Sequence, residues 1–234
     1  ECEAITNWNH CLQQSTGTFV QWVNDDDHLI QLSKSNYSFD NVHHSIVAVS
    51  PIVLIRSPNI GVAGLRQFEL LEADPLDRLN SYRAQAKGAN SLLYAAWRRT
   101  LYENLRPVIT DHPCTAGYQD WTIVRTMLLE GKVLTDPSTL YVYNNDNWFG
   151  PSEAIELELK SLFVRAGLNP ALSEIMDEIV TLDTLVFFCR KQRYALPLHA
   201  ALDAFRKLHN FHIHDHGLMR FENVIGQILE KIAR

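Results

Sequence analysis

The stretch Asn9-His10-Cys11-Leu12-Gln13-Gln14-Ser15-Thr16-Gly17-Thr18-Phe19-Val20-Gln21-Trp22-Val23-Asn24-Asp25-Asp26-Asp27 changes texture twice, and the two changes decide the fold class. Over residues 3–15, Ile5, Trp8, Cys11 and Leu12 recur at helical spacing, and Gly17 follows where a helix stop is expected. Thr18 to Val23 is β-branched and aromatic, too short for a helix, and breaks off at Asn24-Asp25-Asp26-Asp27-His28. That pattern predicts a buried strand with an acidic loop at its carboxyl end. In open α/β sheets ligands collect at that edge, because the loops leaving the strand ends line the crevice there.

Adjacent carboxylates repel one another, so Asp25, Asp26 and Asp27 are costly to keep together unless solvent or a cation compensates. On its own the triplet reads first as a solvated acidic turn. A magnesium or manganese ion offers the other reading, since it takes one or two protein carboxylates and fills its remaining positions with water and substrate phosphates.

Working outward, Ser45 to Arg56 is a second strand-like run in which Pro51 marks an edge or a break. Residues 64–86 predict helix and loop, Ala89 to Glu103 a helix after a loop at Gly88, and Trp121 to Leu129 a helix closed by Gly131. Leu140 to Tyr143 predicts a short strand running into the polar loop Asn144 to Trp148. From Pro151 the pattern turns amphipathic, over Ala154 to Ala166, Pro170 to Arg190, Leu196 to Leu208 and Phe221 to Ile232. The expected organisation is an α/β region over 1–150 and an α-helical C-terminal region over 151–234, packed on the first or forming a small bundle.

Composition removes several function classes. The chain has 234 residues, of which 46% are hydrophobic and 21% charged, enough for a full core. A net charge of −6 and the lack of any Lys/Arg block argue against nucleic acid as a partner. Cys2, Cys11, Cys114 and Cys189 form no CxxC pair and read as reduced thiols in a cytoplasmic setting. No apolar run approaches the roughly 18 to 20 residues that span a bilayer, and no leader peptide is visible. Peripheral membrane association stays open. GxSxG, GxxxxGK[ST] and GxGxxG are all missing, which leaves no nucleophile elbow and no glycine-rich phosphate loop.

The run from Asn9 through Gly17 to the acidic cluster resembles the signature of the inverting, GT-A-type glycosyltransferase family 2: an Asn, a small helix, a Gly, an aromatic-rich strand and a DxD-type loop. A second match lies at Ala116-Gly117-Tyr118-Gln119-Asp120-Trp121, followed by Ile123, Val124, Arg125 and Leu129-Glu130-Gly131-Lys132. It is similar to the family's acidic pair opening a helix. A weaker match is Gly88-Ala89-Asn90-Ser91-Leu92-Leu93-Tyr94, continuing to Arg98-Arg99; that Arg pair reads as phosphate-facing or, preferably, as solvated surface.

The resemblance spans roughly residues 4–148 and implies a GT-A-like mixed sheet with flanking helices. It implies Mn2+ or Mg2+ at Asp25, Asp26 and Asp27, donor binding through Asn9, Asn24 and Asp25, and Asp120 as the general base. Tyr118, Gln119 and Trp121 would flank the acceptor, with core packing the competing reading for the two aromatics. The implied partners are a nucleotide-sugar donor and a glycan or other hydroxyl acceptor, in bacterial polysaccharide or glycan assembly.

Three positions depart from the family pattern. Asn24 stands at its first acidic position, Gln119 replaces its Glu, and Asn145 or Asp146 stands where relatives carry a metal-completing His. The family's base-binding strand-helix units do not precede Asn9, so residues 1–150 are expected to be the acceptor-side portion. As a competing reading, Asp120 caps the helix at Trp121.

Two rival functions remain. One is an inactive GT-A-like binding or scaffold domain, favoured by Asn24 and Gln119. The other is a zinc hydrolase built on His212, His214 and His216 within His209 to Gly217, since alternate imidazoles on a strand share a face. That tract reads preferentially as a histidine-rich loop between helices.

Overall fold

The computed structural model describes residues 4–35, 39–58, 60–111, 118–145 and 151–191. Helix α1 (Ala4–Gln14) ends before Gly17 as the periodicity predicts. Strands β1 (Phe19–Val20), β2 (His28–Gln31), β3 (Ile46–Ser57) and β4 (Gly61–Arg66) follow. Then come α2 (Pro75–Ala86), β5 (Ala96–Arg98), α3 (Arg99–Asp111), α4 (Gln119–Leu128) and β6 (Lys132–Asn144), and after them α5 (Ser152–Arg165) and α6 (Met176–Lys191). The strands form one mixed sheet in the order β1-β5-β3-β6-β2, with β4 also paired to β3. Only β3 and β6 run parallel within it; the other pairings are antiparallel.

β3 is the centre of the sheet. Ile46, Val47, Ala48 and Val49 are all buried, the continuous apolar run expected of a strand covered on both faces. Pro51 therefore does not mark an edge. It lies past the pairing of Ala48 and Val49 with β5 and before the pairing of Val53 with β4, so its missing N–H costs no ladder bond on that side. Against β6 the register shifts between Pro51 and Ile52, where the partner jumps from Asp136 to Leu140. β6 bulges there and is far longer than the predicted Leu140 to Tyr143.

Two further expectations are corrected. The predicted buried strand Thr18 to Val23 is only the half-buried pair Phe19–Val20 on β5. Trp22 has left the strand to stack on Trp8, centroids 4.9 Å apart, and to meet Tyr102 edge-on. The predicted helix Ala89 to Glu103 is instead a 3-10 turn (Ser91–Tyr94), then β5, then α3. Pairing of Trp97 with Ala48 buries the indole completely, and this long-range gain overrides local helical periodicity. Part of residues 64–86 likewise pairs into β4 before α2 begins.

α2 starts where Asp74 accepts hydrogen bonds from the N–H groups of Leu76 (2.7 Å) and Asp77 (3.2 Å). It ends with Lys87 in the left-handed region at φ 48°. The buried Arg78 of α2 donates to the carbonyls of Leu128 (2.7 Å) and Leu129 (3.3 Å), tying down the C-terminal end of α4. Arg83 of α2 and Arg125 of α4 both reach Asp177 of α6, each at 2.6 Å. α5 matches the expected Ala154 to Ala166, whereas the expected Pro170 to Arg190 divides into a 3-10 helix (Pro170–Ile175) and α6; Phe163 and Val180 pack with Tyr118 at the head of α4. The described part of the helical region thus packs on the α/β region. The expected helices Leu196 to Leu208 and Phe221 to Ile232 lie outside the described residues. Among the described residues no helix is long and apolar enough to cross a membrane.

Candidate functional site

Asn24 to Asp27 form a turn closed by the Asp27 N–H donating to the Asn24 carbonyl (3.2 Å). Within it the carboxylates separate into two kinds. Asp25 and Asp26 are exposed, whereas Asp27 is 5% exposed and turned into the protein. One oxygen of Asp27 accepts from the backbone N–H of Asn144 (2.7 Å). The other accepts from the Tyr141 hydroxyl (2.7 Å) and the Asn24 amide (3.0 Å). Burial pushes the Asp27 pKa up, the neighbouring Asp26 charge adds to this, and the three donors hold it down. Asn144 also donates its side-chain amide to the Asp26 carbonyl, so the end of β6 clamps the turn from both sides.

The Asn24 amide donates to Tyr94 (3.0 Å) as well as to Asp27. A carboxylate at this position could not donate, so both bonds require the amide of Asn24. The stretch before it is held by Gln21, whose amide donates to the Tyr94 carbonyl (2.8 Å). Tyr94 stacks on Tyr141 and sits 5.0 Å from the ring of Tyr143. Burial raises the pKa of all three phenols, that of Tyr143 to about 12.

On the other side of this tyrosine wall lies a cleft of about 390 Å³ lined by Asn90, Tyr94, Asp120, Trp121, Tyr143 and Asn145, among others. Ile155, Leu159 and Met176 add apolar side chains to its lining. A second cavity of about 420 Å³ adjoins it, sharing Lys87, Gly88, Trp121 and Met176, and reaches Arg83 and Arg125. Asp120 lies in the first turn of α4; the capping position is Tyr118, whose side chain makes no cap bond. The Asp120 carboxylate nevertheless receives the Trp121 N–H and its own N–H, so it serves free backbone donors at the start of α4 as the capping reading expects, alongside its place in the cleft. One of its oxygens accepts from the Asn90 amide (2.9 Å). Burial pushes its pKa up, against the pull of Asn90, the Trp121 N–H and the Arg125 charge.

The structure brings Asn24, Asp27, Asp120 and Trp121 to one tyrosine wall and its cleft. Tyr118 and Gln119 do not line the cleft: each is 3% exposed, and the Tyr118 ring packs on Phe163 at 5.7 Å. Asn9 is half-buried on α1 beside Trp8. Arg98 and Arg99 are not solvated surface. Arg98 donates to the carbonyls of Ile46, Val42 and His43 and covers the Phe19 ring, while Arg99 donates to the Ser15 carbonyl. Asp146 and the His209 to Gly217 tract, with His212, His214 and His216, lie outside the described residues.

Among the described residues no group of three or more His, Cys, Asp or Glu side chains is arranged to hold a metal ion. The acidic turn fits magnesium or manganese in a narrower way. Asp25 and Asp26 present the one or two exposed carboxylates such an ion takes from protein, and Asp27, with three donors already on its oxygens, anchors the turn beneath them.

No motif in the sequence assigns a role to the side chains of Asn90, Tyr94, Tyr141 and Tyr143, which the structure brings to the site. The available signal was the clustering of tyrosines in Tyr141-Val142-Tyr143, whose period-two spacing puts both on one face of a strand.

No family model, no curated protein and no solved structure matches the chain.

Proposed function

We propose that this chain acts as an inverting, metal-dependent glycosyltransferase with a GT-A-like sheet, transferring a sugar from a nucleotide-diphosphate donor to a hydroxyl acceptor. The observation that carries this reading is the linkage of the acidic turn to the Asp120 cleft through Tyr141, Asn24 and Tyr94. Such a reaction needs a diphosphate-facing acidic loop and one carboxylate next to the acceptor hydroxyl, and two segments nearly a hundred residues apart in sequence supply them at one wall.

Asp120 is the base. Its carboxylate, poorly solvated and held by Asn90, takes the proton of the acceptor hydroxyl as that oxygen attacks the anomeric carbon. The bond from that carbon to the diphosphate breaks on the opposite face, which inverts the configuration. Trp121 and Tyr143 border the cleft beside Asp120, where an aromatic face can stack on a sugar ring. Asp25 and Asp26 would hold magnesium or manganese, which when bound neutralises the charge of the departing diphosphate. Asp27, Tyr141 and Asn144 keep that turn rigid.

A second reading is a binding or scaffold domain of the same shape without turnover. It is favoured by Asn24, whose amide is bonded to Asp27 and Tyr94, and by the buried Gln119, which stand where an active enzyme of this type would carry acids.

Calorimetric titration of UDP, GDP and dTDP, with and without manganese, tests the choice on this chain, on Asp26→Ala and on any longer natural form. Manganese-dependent binding that disappears in Asp26→Ala is the expected result. Absence of nucleotide binding in every form would overturn the transferase reading in favour of the scaffold.

A further inference from the structure

We infer that Asn90 is the positioning residue for Asp120: its amide, oriented by the buried Tyr82 hydroxyl, aims and holds the carboxylate at the cleft. The inference rests on the reading that Asp120 is the proton acceptor. Three observations on separate elements carry it.

First, Asn90 occupies the capping position of the 3-10 turn Ser91–Tyr94, where an Asn ordinarily bonds the turn's own N–H groups, yet it makes no such bond. Its amide is turned across the fold instead. Second, that amide donates to Asp120 at 2.9 Å over a sequence separation of thirty residues. Third, the Asn90 carbonyl oxygen accepts from the hydroxyl of Tyr82 on α2. Tyr82 is completely buried, and burial pushes its pKa far up, so the hydroxyl keeps its proton and remains a donor. An amide can flip end for end without changing shape, and here only one orientation is compatible with both neighbours. A donor on one side demands the oxygen, and a carboxylate on the other demands the NH2. The relay Tyr82 to Asn90 to Asp120 thus fixes α2, the loop after Gly88 and α4 relative to one another at the cleft.

The consequence is chemical as well as geometric. Around the Asp120 carboxylate stand Asn90 and Tyr82 from the α2 side, Arg125 on α4 and Tyr143 on β6, with Lys87 and the apolar Ile155, Leu159 and Met176 in the cleft lining. Burial favours the neutral acid and so opposes its work as a base; the Asn90 N–H favours the ionised form. Loss of the amide moves the ionisation of Asp120 to higher pH.

The test uses the full chain labelled with 13C at the aspartate carboxyl carbons. The Asp120 resonance is assigned by its loss in Asp120→Asn, and its titration is followed in the wild type, Asn90→Ala, Asn90→Asp and Tyr82→Phe. The expected result is an upward shift of the Asp120 midpoint in Asn90→Ala, a larger one in Asn90→Asp, and a smaller one in Tyr82→Phe. Asn90→Asp keeps the shape of the side chain and the bond from Tyr82, so it reports even where Asn90→Ala folds poorly. An unchanged midpoint in Asn90→Asp overturns the proposal. In turnover, Asn90→Ala should lose roughly ten- to a hundredfold in kcat at unchanged KM, with the acid limb of the profile displaced upward. Because the titration needs neither donor nor acceptor, its outcome is independent of nucleotide binding. A chain that binds no nucleotide but shows the shift refutes the transferase reading alone; one that binds nucleotide without the shift refutes the role of Asn90 alone.

Discussion

Tyr94 and Tyr141 lie face to face, their ring centroids 4.7 Å apart and their planes 13° from parallel. Tyr141 donates to Asp27 in the acidic turn, and Tyr94, bonded by the Asn24 amide of that same turn, lines the cleft that holds Asp120. The pair makes the turn and the cleft parts of one rigid wall, so disturbing either end is felt at the other.

The three adjacent aspartates should therefore respond differently to the same substitution. Asp27→Ala leaves the Asn144 N–H and the Tyr141 hydroxyl without their acceptor and is expected to lower stability by about 2 to 3 kcal/mol in urea denaturation. Asp25→Ala and Asp26→Ala, on the exposed side of the turn, should change stability by less than about 0.5 kcal/mol. Their effect should fall on manganese-dependent nucleotide binding. Equal stability losses in all three would refute the division of roles.

Asp120→Asn should remove activity and strengthen the fold. Loss of a general base costs on the order of a hundred- to ten-thousandfold in kcat. The folded-state pKa of Asp120 is raised above its ordinary 3.8, so the folded chain binds the proton more readily than the unfolded one. Stability then falls as pH rises through the raised value, and the ionised form is the strained one. The variant lacks this penalty. Its melting temperature should match the wild type at low pH and exceed it increasingly as pH rises; a lower melting temperature at neutral pH would contradict the account.

The Arg83–Asp177–Arg125 cluster predicts the opposite pH behaviour. Burial pushes the Asp177 pKa up, but the guanidinium groups of Arg125 and Arg83 more than reverse this and hold it low. A depressed carboxylate contributes stability above its unfolded pKa of 3.8 and loses it as pH falls through the lower folded value. Asp177→Asn should cost about 3 kcal/mol near neutral pH, because two buried arginines lose the carboxylate they share, and the cost should shrink below pH 3.8. Chemical denaturation at several pH values measures it.

Gly131 is a packing requirement. A Cβ there would lie 2.5 Å from a methyl of Val47 and 2.6 Å from the Ser45 carbonyl oxygen, where α4 turns into β6 against the start of β3. Gly131→Ala should destabilise by roughly 1 to 3 kcal/mol, read as a fall in the denaturation midpoint with no change in slope.

What the sequence determined by itself was local. Apolar spacing and stop residues placed α1, α4, α5 and α6, because a helix buries one face at a period its own residues encode. The acidic triplet was legible from its place after a short apolar run, whereas Asp120 was singled out by the resemblance carried by Ala116 to Trp121. Tertiary structure alone decided the rest. Ala96 to Arg98 became a strand because β3 offered it a partner and a buried place for Trp97, and Pro51 was tolerated mid-sheet because β5 stops and β4 begins around it. Asp27 parted from Asp25 and Asp26, and Asn90 met Asp120, through hydrogen bonds that join residues far apart in the chain. A polar side chain's role depends on what desolvates it and which donor it faces, and both are set by non-local packing that no window of sequence contains.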